Sequence, residues 1–410
     1  MGLALPGSVA LTAWLALNPY FLWGTSTPLL LASVFVAIIA AVTFWNGARP
    51  ESRLEVAGVL VLSAYLVYIT LLPKTDGGHI KWVYVLPTLW AMVVMTSHER
   101  RRCLDLFAGI FAITLIPGVV VSALAVAGAP LSFRTGMTMP VIGSPILELP
   151  GALFIATNSV ILPWGGVLFR MCAIYDEPGT VGTVSASLLA AYGYKLGWRT
   201  NILYVAGLLS FSLAFIVLTV AGLAVAAVWR WRCALAAVPL VLCVPVLVGA
   251  VDFGVPLGRA SNLSAGTERF VATDDKGRHL RQVRSLDNRV TPQMAAVWER
   301  YLYSGPSTLL FGVASDASVV GGNISQTWRR ILTDSGLVGC VLYAASLLLI
   351  ALCRWRAASD RLAMTAFLTL YAASLYQRPV FWLPYTLVIL FCASPLLASR
   401  AQERLRPSSQ

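Results

Sequence analysis

Long apolar segments alternate with short basic turns along the sequence, and one long polar segment, 252–330, interrupts this pattern. A membrane-spanning helix needs about 20 mostly apolar residues, and about a dozen segments approach that length. Of all residues, 58% are hydrophobic and 12% are charged, whereas an average soluble domain is about 45–50% apolar and about 25% charged. The pattern therefore predicts a membrane protein with many spans and excludes an ordinary soluble domain.

The basic turns predict how these spans are oriented. Turns at 98–102, 230–232 and 354–361 are short and rich in arginine, and such turns remain in the cytoplasm. One predicted span, 233–251, separates the second turn from the long polar segment. That segment is therefore expected on the opposite face, the periplasm of a bacterial inner membrane. The net charge of +12 is attributed to this orientation and not to binding of nucleic acid.

The predicted fold is all-α, with about 12 transmembrane helices and one large periplasmic loop. Residues 1–251 are expected to form an N-terminal transmembrane bundle, 252–335 the large loop, and 336–410 the C-terminal transmembrane helices and a cytoplasmic tail. Within the bundle, 128–178 is expected to be periplasmic or re-entrant. Its apolar part, 150–169, contains an asparagine, prolines and glycines that make a poor span, and counting it as a span would reverse every later orientation.

The segment 200–228 has basic residues near both of its ends, so it is expected to leave the cytoplasm and return to it. A helix of this length reaches about 43 Å, which is too short for two crossings. We therefore predict two short helices that meet around Ser210-Phe211-Ser212. Irregular backbone inside a membrane is tolerated only where protein or a cavity covers it.

The long polar segment contains nine arginines and one lysine. Guanidinium groups bind phosphate or carboxylate through two parallel hydrogen bonds, which an ammonium group cannot do. The segment is therefore either an anion site for a lipid diphosphate or an acidic sugar, or a solvated loop with local ion pairs. Arg289 and Arg300 flank an apolar pattern with helical spacing, 294–302. This pattern predicts a helix lying on the membrane with those two arginines at its ends.

Two carboxylates, Asp176 and Glu177, precede a Pro-Gly pair at the start of a predicted membrane helix. Proline is favoured in the first helical turn and acidic groups at helix N-termini, which accounts for Asp176. Glu177 has a further charge partner in Arg170. Ionisable groups at membrane depth are candidates for function.

The sequence contains no motif for metal binding, nucleotide binding or serine-hydrolase chemistry. The chain has three histidines and contains no HExxH, P-loop or GxSxG motif. Its seven cysteines lie in or beside apolar segments without a CxxC pair, so buried thiols are expected. We predict a protein without a metal site or a cofactor.

Taken together, these segments resemble the Wzy-type O-antigen and exopolysaccharide polymerases, which are related to the O-antigen ligases. The resemblance covers most of the chain from about residue 100. The stretch from Arg170 through Glu177-Pro178-Gly179 to Gly182 resembles the family element R-x(n)-(F/Y)-x-E-P-G-x-x-G. Residues 208–212 resemble its serine-containing kink, although Leu213 replaces the arginine of many members.

The last resemblance lies at the exit of the large loop, where 310–313 and 328–339 resemble the family signature G-x-G…(H)-N-x-x-L-x-x-L-x-E-x-G-L-x-G. Ligases carry a histidine about eleven residues before its final Gly pair, and Ser325 occupies that position here. The resemblance therefore favours a polymerase, with the ligase as the alternative.

What the resemblance implies is a metal-independent inner-membrane glycosyltransferase that transfers a growing glycan from undecaprenyl diphosphate to an incoming lipid-linked repeat unit. Its partners would be undecaprenyl-diphosphate-linked oligosaccharides, membrane lipid and a chain-length regulator protein, without nucleic acid. A polysaccharide or lipid flippase is the alternative from another class, and it would need charged residues inside the spans. The expected catalytic residues are Glu177 as base or orienter, with Arg170, Arg289 and Arg300 on the diphosphates. The expected substrate-binding residues are Arg278, Arg281, Arg284, Arg329, Arg330, Tyr175 and Trp298.

Overall fold

The structure is a computed structural model in which helices dominate. It describes residues 3–23, 25–72, 82–127, 129, 131, 134–138, 145–149, 154–156, 159–161, 167–227, 292–314, 328–377 and 380–395. Within these ranges the α-helices are α1 (Ala4–Leu15), α2 (Thr27–Trp45), α3 (Arg53–Leu71), α4 (Leu86–Val94), α5 (Ser97–Val126), α6 (Pro178–Ala191), α7 (Trp198–Leu209), α8 (Leu213–Ala227), α9 (Pro292–Tyr303), α10 (Pro306–Phe311), α11 (Trp328–Ala357), α12 (Arg361–Gln377) and α13 (Pro384–Cys392). Short 3-10 turns occupy Tyr20–Leu22 and Trp82–Val85.

Among the described residues, four helices, α2, α3, α5 and α11, are long and apolar enough to cross a membrane, and α1, α8 and α12 are shorter apolar helices. Large apolar side chains on α2, such as Leu31 and Ile38, are more than half exposed, as expected for a helix whose surroundings are lipid. The chain is therefore a helical membrane protein, as predicted. Length and hydropathy of the sequence predict spans near 28–45, 54–73 and 104–127, and α2, α3 and α5 overlap these ranges. The predicted span 233–251 lies outside the described residues.

In the part of the chain that the structure describes, five short strands between α5 and α6 depart from the predicted all-α fold. The strands β1 (Arg134–Thr138), β2 (Pro145–Glu148) and β3 (Ile155–Ala156) form one antiparallel sheet, and β4 (Ser159–Ile161) pairs antiparallel with β5 (Val167–Phe169). The described parts of 150–169 are thus extended and not helical. Valine and isoleucine favour strands, and the glycines and prolines between them disfavour helix.

The helices α7 and α8 form the predicted hairpin, with its break at Ser210-Phe211-Ser212. Phe211 adopts a left-handed backbone conformation, with φ of 47°. The hairpin packs along α6: Gly182, near the start of α6, contacts Ser212 at the break. At the other end, Tyr194 lies so close to Gly222 of α8 that a Cβ there would overlap its hydroxyl. Both ends of the hairpin therefore lie at the same end of the bundle, and the two predicted short helices that meet at this break are present.

Contacts among the basic turns gather at that same end. Glu51, between α2 and α3, accepts hydrogen bonds from the backbone and hydroxyl of Ser97, at 3.2 and 3.0 Å. Glu55 and Arg100 form a buried ion pair with two contacts, at 2.7 and 3.0 Å. Arg354, near the end of α11, lies within electrostatic range of both groups. The two basic turns that lie within the described residues, 98–102 and 354–361, thus share one end of the molecule, while the turn at 230–232 lies outside them.

Candidate functional site

The non-helical segment from Arg170 to Glu177 lies beside the middle of α5 and not beyond its end. Gly118 of α5 is so close to this segment that a Cβ there would lie 2.9 Å from Met171. The hydroxyl of Tyr175 lies 2.6 Å from that of Thr114, which is about 26 Å along α5 from its first residue. The helical bundle therefore covers this irregular backbone at membrane depth, the condition under which a membrane tolerates it.

Arg170 closes the end of α7. Its Nε donates to the carbonyl of Ser210 at 3.2 Å, and its Nη2 donates to that of Phe211 at 3.1 Å. The backbone N–H of Met171 donates to the carbonyl of Leu209 at 3.0 Å. The last carbonyls of a helix have no partners within the helix, so these donors satisfy groups that would otherwise be unpaired at the break.

Asp176 and Glu177 have different positions at the start of α6. The hydroxyl of Thr180 donates to Asp176 at 3.0 Å, and the N–H of Thr180 donates to the carbonyl of Glu177 at 3.1 Å. Glu177 is the N-cap residue by backbone conformation, but its side chain makes no capping hydrogen bond. The Glu177 carboxylate lies within electrostatic range of the Arg170 guanidinium. The carboxylate of Glu177 therefore does not cap α6.

Gly182 is the point of contact between two segments that are far apart in the sequence, 170–182 and 208–212. A Cβ at Gly182 would lie 2.7 Å from the hydroxyl oxygen of Ser212 and 3.0 Å from that of Ser210. The Glu177-Pro178-Gly179…Gly182 element and the serine-containing break therefore pack directly against each other, with Arg170 bound to the same break.

Tyr175, expected to contact substrate, is a core residue in this structure. Its side chain is fully buried, and its ring lies 5.1 Å from that of Phe111. Trp14 Nε1 donates to its hydroxyl at 3.1 Å. Thr114 donates to the carbonyl of Phe111, so its oxygen is left to accept from Tyr175. These partners fix Tyr175 as a link between α1 and α5.

A second group of expected residues assembles where α9 meets α11. The guanidinium of Arg329 lies over the Trp298 ring at 5.4 Å, and Trp298 stacks on Tyr301 with ring centroids 5.5 Å apart. The neighbouring Arg330 binds Asp334, with Nε and Oδ2 separated by 3.2 Å. Three expected substrate-binding residues are therefore held by specific partners here.

Glycines at the loop exit allow two backbones to approach closely. Gly312, with φ of 88°, and Gly336, with φ of 64°, both have left-handed conformations that favour glycine. A Cβ on Gly312 would lie 2.8 Å from the Asp334 carbonyl oxygen, and one on Gly336 would lie 2.5 Å from the Gly312 nitrogen. The glycines of the signature thus have a packing role, and Gly336 interrupts α11 where the sequence predicts its span to begin.

Among the described residues, Arg300 is the expected site residue that no hydrogen bond, ion pair or ring contact joins to these groups. Arg300 lies exposed near the end of α9. Within the described ranges, no three His, Cys, Asp or Glu side chains could together hold a metal ion. Sequence reasoning missed Asp334, although its spacing of four residues from Arg330 on one helix is a signal for an ion pair. Arg278, Arg281, Arg284 and Arg289 lie outside the described residues.

These observations define the class of the molecule: a helical membrane protein with a broken helical hairpin inside its bundle and an arginine bound at the break. Comparison with protein-family models, curated proteins and solved structures finds no match to this chain.

Proposed function

We propose that this chain is a polymerase of lipid-linked polysaccharide repeat units in the bacterial inner membrane, with its site facing the periplasm. The observation that carries the proposal is that Arg170 binds the break of the α7–α8 hairpin, while Glu177 begins the helix that packs against the same break. Ionisable groups and irregular backbone are both costly at membrane depth, so their occurrence together supports a reactive centre.

The proposed reaction joins a growing glycan to the hydroxyl of an incoming repeat unit. The acceptor oxygen forms a bond to the anomeric carbon of the glycan. The bond from that carbon to undecaprenyl diphosphate breaks, and the diphosphate leaves with the electron pair. Glu177 takes the proton of the acceptor hydroxyl as general base. The lipid diphosphate is itself the leaving group, so no nucleotide sugar is required.

Arginines serve two purposes in this proposal. Negative charge develops on the diphosphate, and guanidinium groups placed there beforehand stabilise it. We assign this to Arg300, Arg329 and Arg330, together with Arg278, Arg281, Arg284 and Arg289. Arg170 has two nitrogens bound to backbone carbonyls, so we assign it to holding the break and to placing positive charge beside Glu177.

The test is the glycan phenotype of a gene deletion in the natural host. A polymerase predicts glycans of a single repeat unit, restored to long chains by the wild-type gene. A ligase predicts undecorated lipid A core together with long lipid-linked chains. A flippase predicts lipid-linked single units that stay on the cytoplasmic face. Either of the last two results contradicts the proposal.

A further inference from the structure

The two short helices α9 and α10 carry large apolar side chains that are exposed on the surface of the molecule. Tyr303, at the end of α9, is 85% exposed, and Phe311, at the end of α10, is 50% exposed. Exposed apolar surface of this kind marks a place where a partner or a membrane binds. The exposed apolar residues at the two helix ends, which we call the apolar tip, are Leu302, Tyr303, Leu310 and Phe311.

The sequence predicts that α9 lies on the membrane through its apolar face, and the structure uses part of that face differently. Tyr301 is buried, and its hydroxyl donates to the carbonyl of Leu309 at 3.1 Å. Trp298 lies beneath the guanidinium of Arg329. The middle of the predicted face therefore packs against α10 and α11, and the apolar surface that is left exposed is the tip.

Contacts with α3 fix the depth of α10 in the bundle. The helix α3 begins at Arg53, among the basic turns, and Tyr68 lies about 22 Å further along its axis. The Tyr68 hydroxyl donates to the carbonyl of Ser335 at 2.9 Å and also lies 3.3 Å from that of Phe311. The hydrocarbon core of a bilayer is about 30 Å thick. Phe311 therefore lies near the membrane boundary opposite the basic turns.

The packing of α11 against α3 gives the same depth. Near the basic turns, a Cβ on Gly58 of α3 would lie 2.9 Å from the Ile350 side chain of α11. From this contact α11 extends antiparallel to α3 toward the opposite boundary, where Gly336 interrupts it. A Cβ on Gly336 would overlap the carbonyl of Leu310. The end of α10 is thus held at the level where the span of α11 begins.

The spans next to α10 also have exposed apolar side chains at this level. Leu71 is exposed at the end of α3, and Leu337 and Val341 are exposed in the first turns after the break in α11. Both helices are long and apolar enough to cross a membrane, so these side chains face lipid. The apolar tip lies beside them and therefore adjoins lipid, not the aqueous phase in which a soluble partner would bind.

We propose that the apolar tip is an interfacial anchor, which inserts into the lipid leaflet on the side opposite the basic turns. Aromatic side chains favour the boundary between headgroups and acyl chains, and an element with apolar and charged residues can lie in the plane of this boundary. Glu299 and Arg300, which are exposed on α9, would remain in the headgroup layer. This anchor rests on the contacts of α10 and not on the proposed reaction.

The experiment measures quenching of a bimane fluorophore on single cysteines, in full-length protein in phosphatidylcholine nanodiscs. The variants are Leu310→Cys and Phe311→Cys, in a background without the seven natural cysteines. The quenchers are iodide in the water, a lipid with a nitroxide near its headgroup, and a lipid with a nitroxide at the end of its chain. Ile38→Cys, halfway along the exposed face of α2, is the control for the membrane interior, and Arg101→Cys, in an exposed basic turn, is the control for water.

We expect the nitroxide near the headgroup to quench Leu310→Cys and Phe311→Cys more strongly than iodide or the chain-end nitroxide does. The chain-end nitroxide should be the strongest quencher of Ile38→Cys, and iodide that of Arg101→Cys. Three results at the two tip positions overturn the proposal. Dominant quenching by iodide would place the tip in water, dominant quenching by the chain-end nitroxide would place it in the membrane interior, and protection from all three quenchers would show that protein covers it.

Discussion

Arg170 illustrates how a residue chosen for its charge can have a structural role. The resemblance implies that Arg170 binds the diphosphates, and the sequence pattern makes it a charge partner of Glu177. In the structure its guanidinium donates to the carbonyls of Ser210 and Phe211. These partners are 40 residues away in sequence, and no local pattern could have indicated them. A single arginine thus links the loop before α6 to the break in the next hairpin.

Replacement of Arg170 should therefore destabilise the protein. Arg170→Ala leaves two carbonyls at the break without their donors, and a buried polar group left unpaired costs about 1–3 kcal/mol. The measurement is the midpoint of thermal unfolding in detergent. Arg356→Ala, at an exposed position near the end of α11, is the control and should unfold as the wild type does. Equal midpoints for Arg170→Ala and the wild type would show that the hydrogen bonds from Arg170 to the break do not stabilise the protein.

The two adjacent carboxylates should respond differently to neutralisation. Glu177→Gln keeps the shape of the side chain but removes its ability to accept a proton, and a positioned general base contributes about 10²–10⁴-fold. Polymer should therefore stop at one or very few units while the protein still accumulates. Asp176→Asn can still accept from Thr180 and should retain activity. The opposite result, loss of activity in Asp176→Asn and retention in Glu177→Gln, would show that Asp176 and not Glu177 is the general base.

At the scale of elements, the sequence predicts what length and periodicity determine. The hairpin of α7 and α8 follows from a segment too short for two crossings with basic residues at both ends. The apolar spacing in 294–302 predicts α9, and the structure has a helix at Pro292–Tyr303. The strands β1–β5 were not predicted, because strands of two to five residues are too short to show a clear alternation.

Contact between α6 and the break is possible because Gly182 has no side chain. Gly182→Ala would place a Cβ 2.7 Å from the Ser212 hydroxyl oxygen, so α6 must move away from the hairpin, a kind of overpacking that costs about 1–3 kcal/mol. We expect a lower unfolding midpoint and loss of polymer in cells. Gly7→Ala is the control, because it also lies within a helix but has no atom within 4 Å of the added Cβ. An equal response of the two variants would contradict the packing role of Gly182.

Across the whole molecule, the charge pattern predicts which turns share an end, and the contacts of Glu51, Glu55 and Arg100 agree with it. The assembly of the site could not be predicted in the same way. Tyr68 and Ser335, for example, meet across 267 positions of the sequence. Such contacts depend on how helices pack, and packing is not encoded by the local periodicity of either segment.

Sidedness can be measured with single cysteines in a background without the seven natural ones. Arg101 lies in a basic turn and Glu299 on α9, and both are exposed. An impermeant maleimide added to intact cells should label Glu299→Cys and miss Arg101→Cys, because the positive-inside rule keeps the basic turn in the cytoplasm. Permeabilised cells should label both. Labelling of Arg101→Cys in intact cells would reverse the orientation and place the site on the cytoplasmic face.

The most direct measurement uses purified protein in lipid vesicles, supplied with lipid-linked repeat units and no nucleotide sugar. The products are separated by size. If the protein joins these units with the lipid diphosphate as leaving group, the wild type should produce a ladder of glycans and release undecaprenyl diphosphate, while Glu177→Gln should leave single units. A ladder of the same length from Glu177→Gln, or single units alone from a folded wild type, would contradict the account.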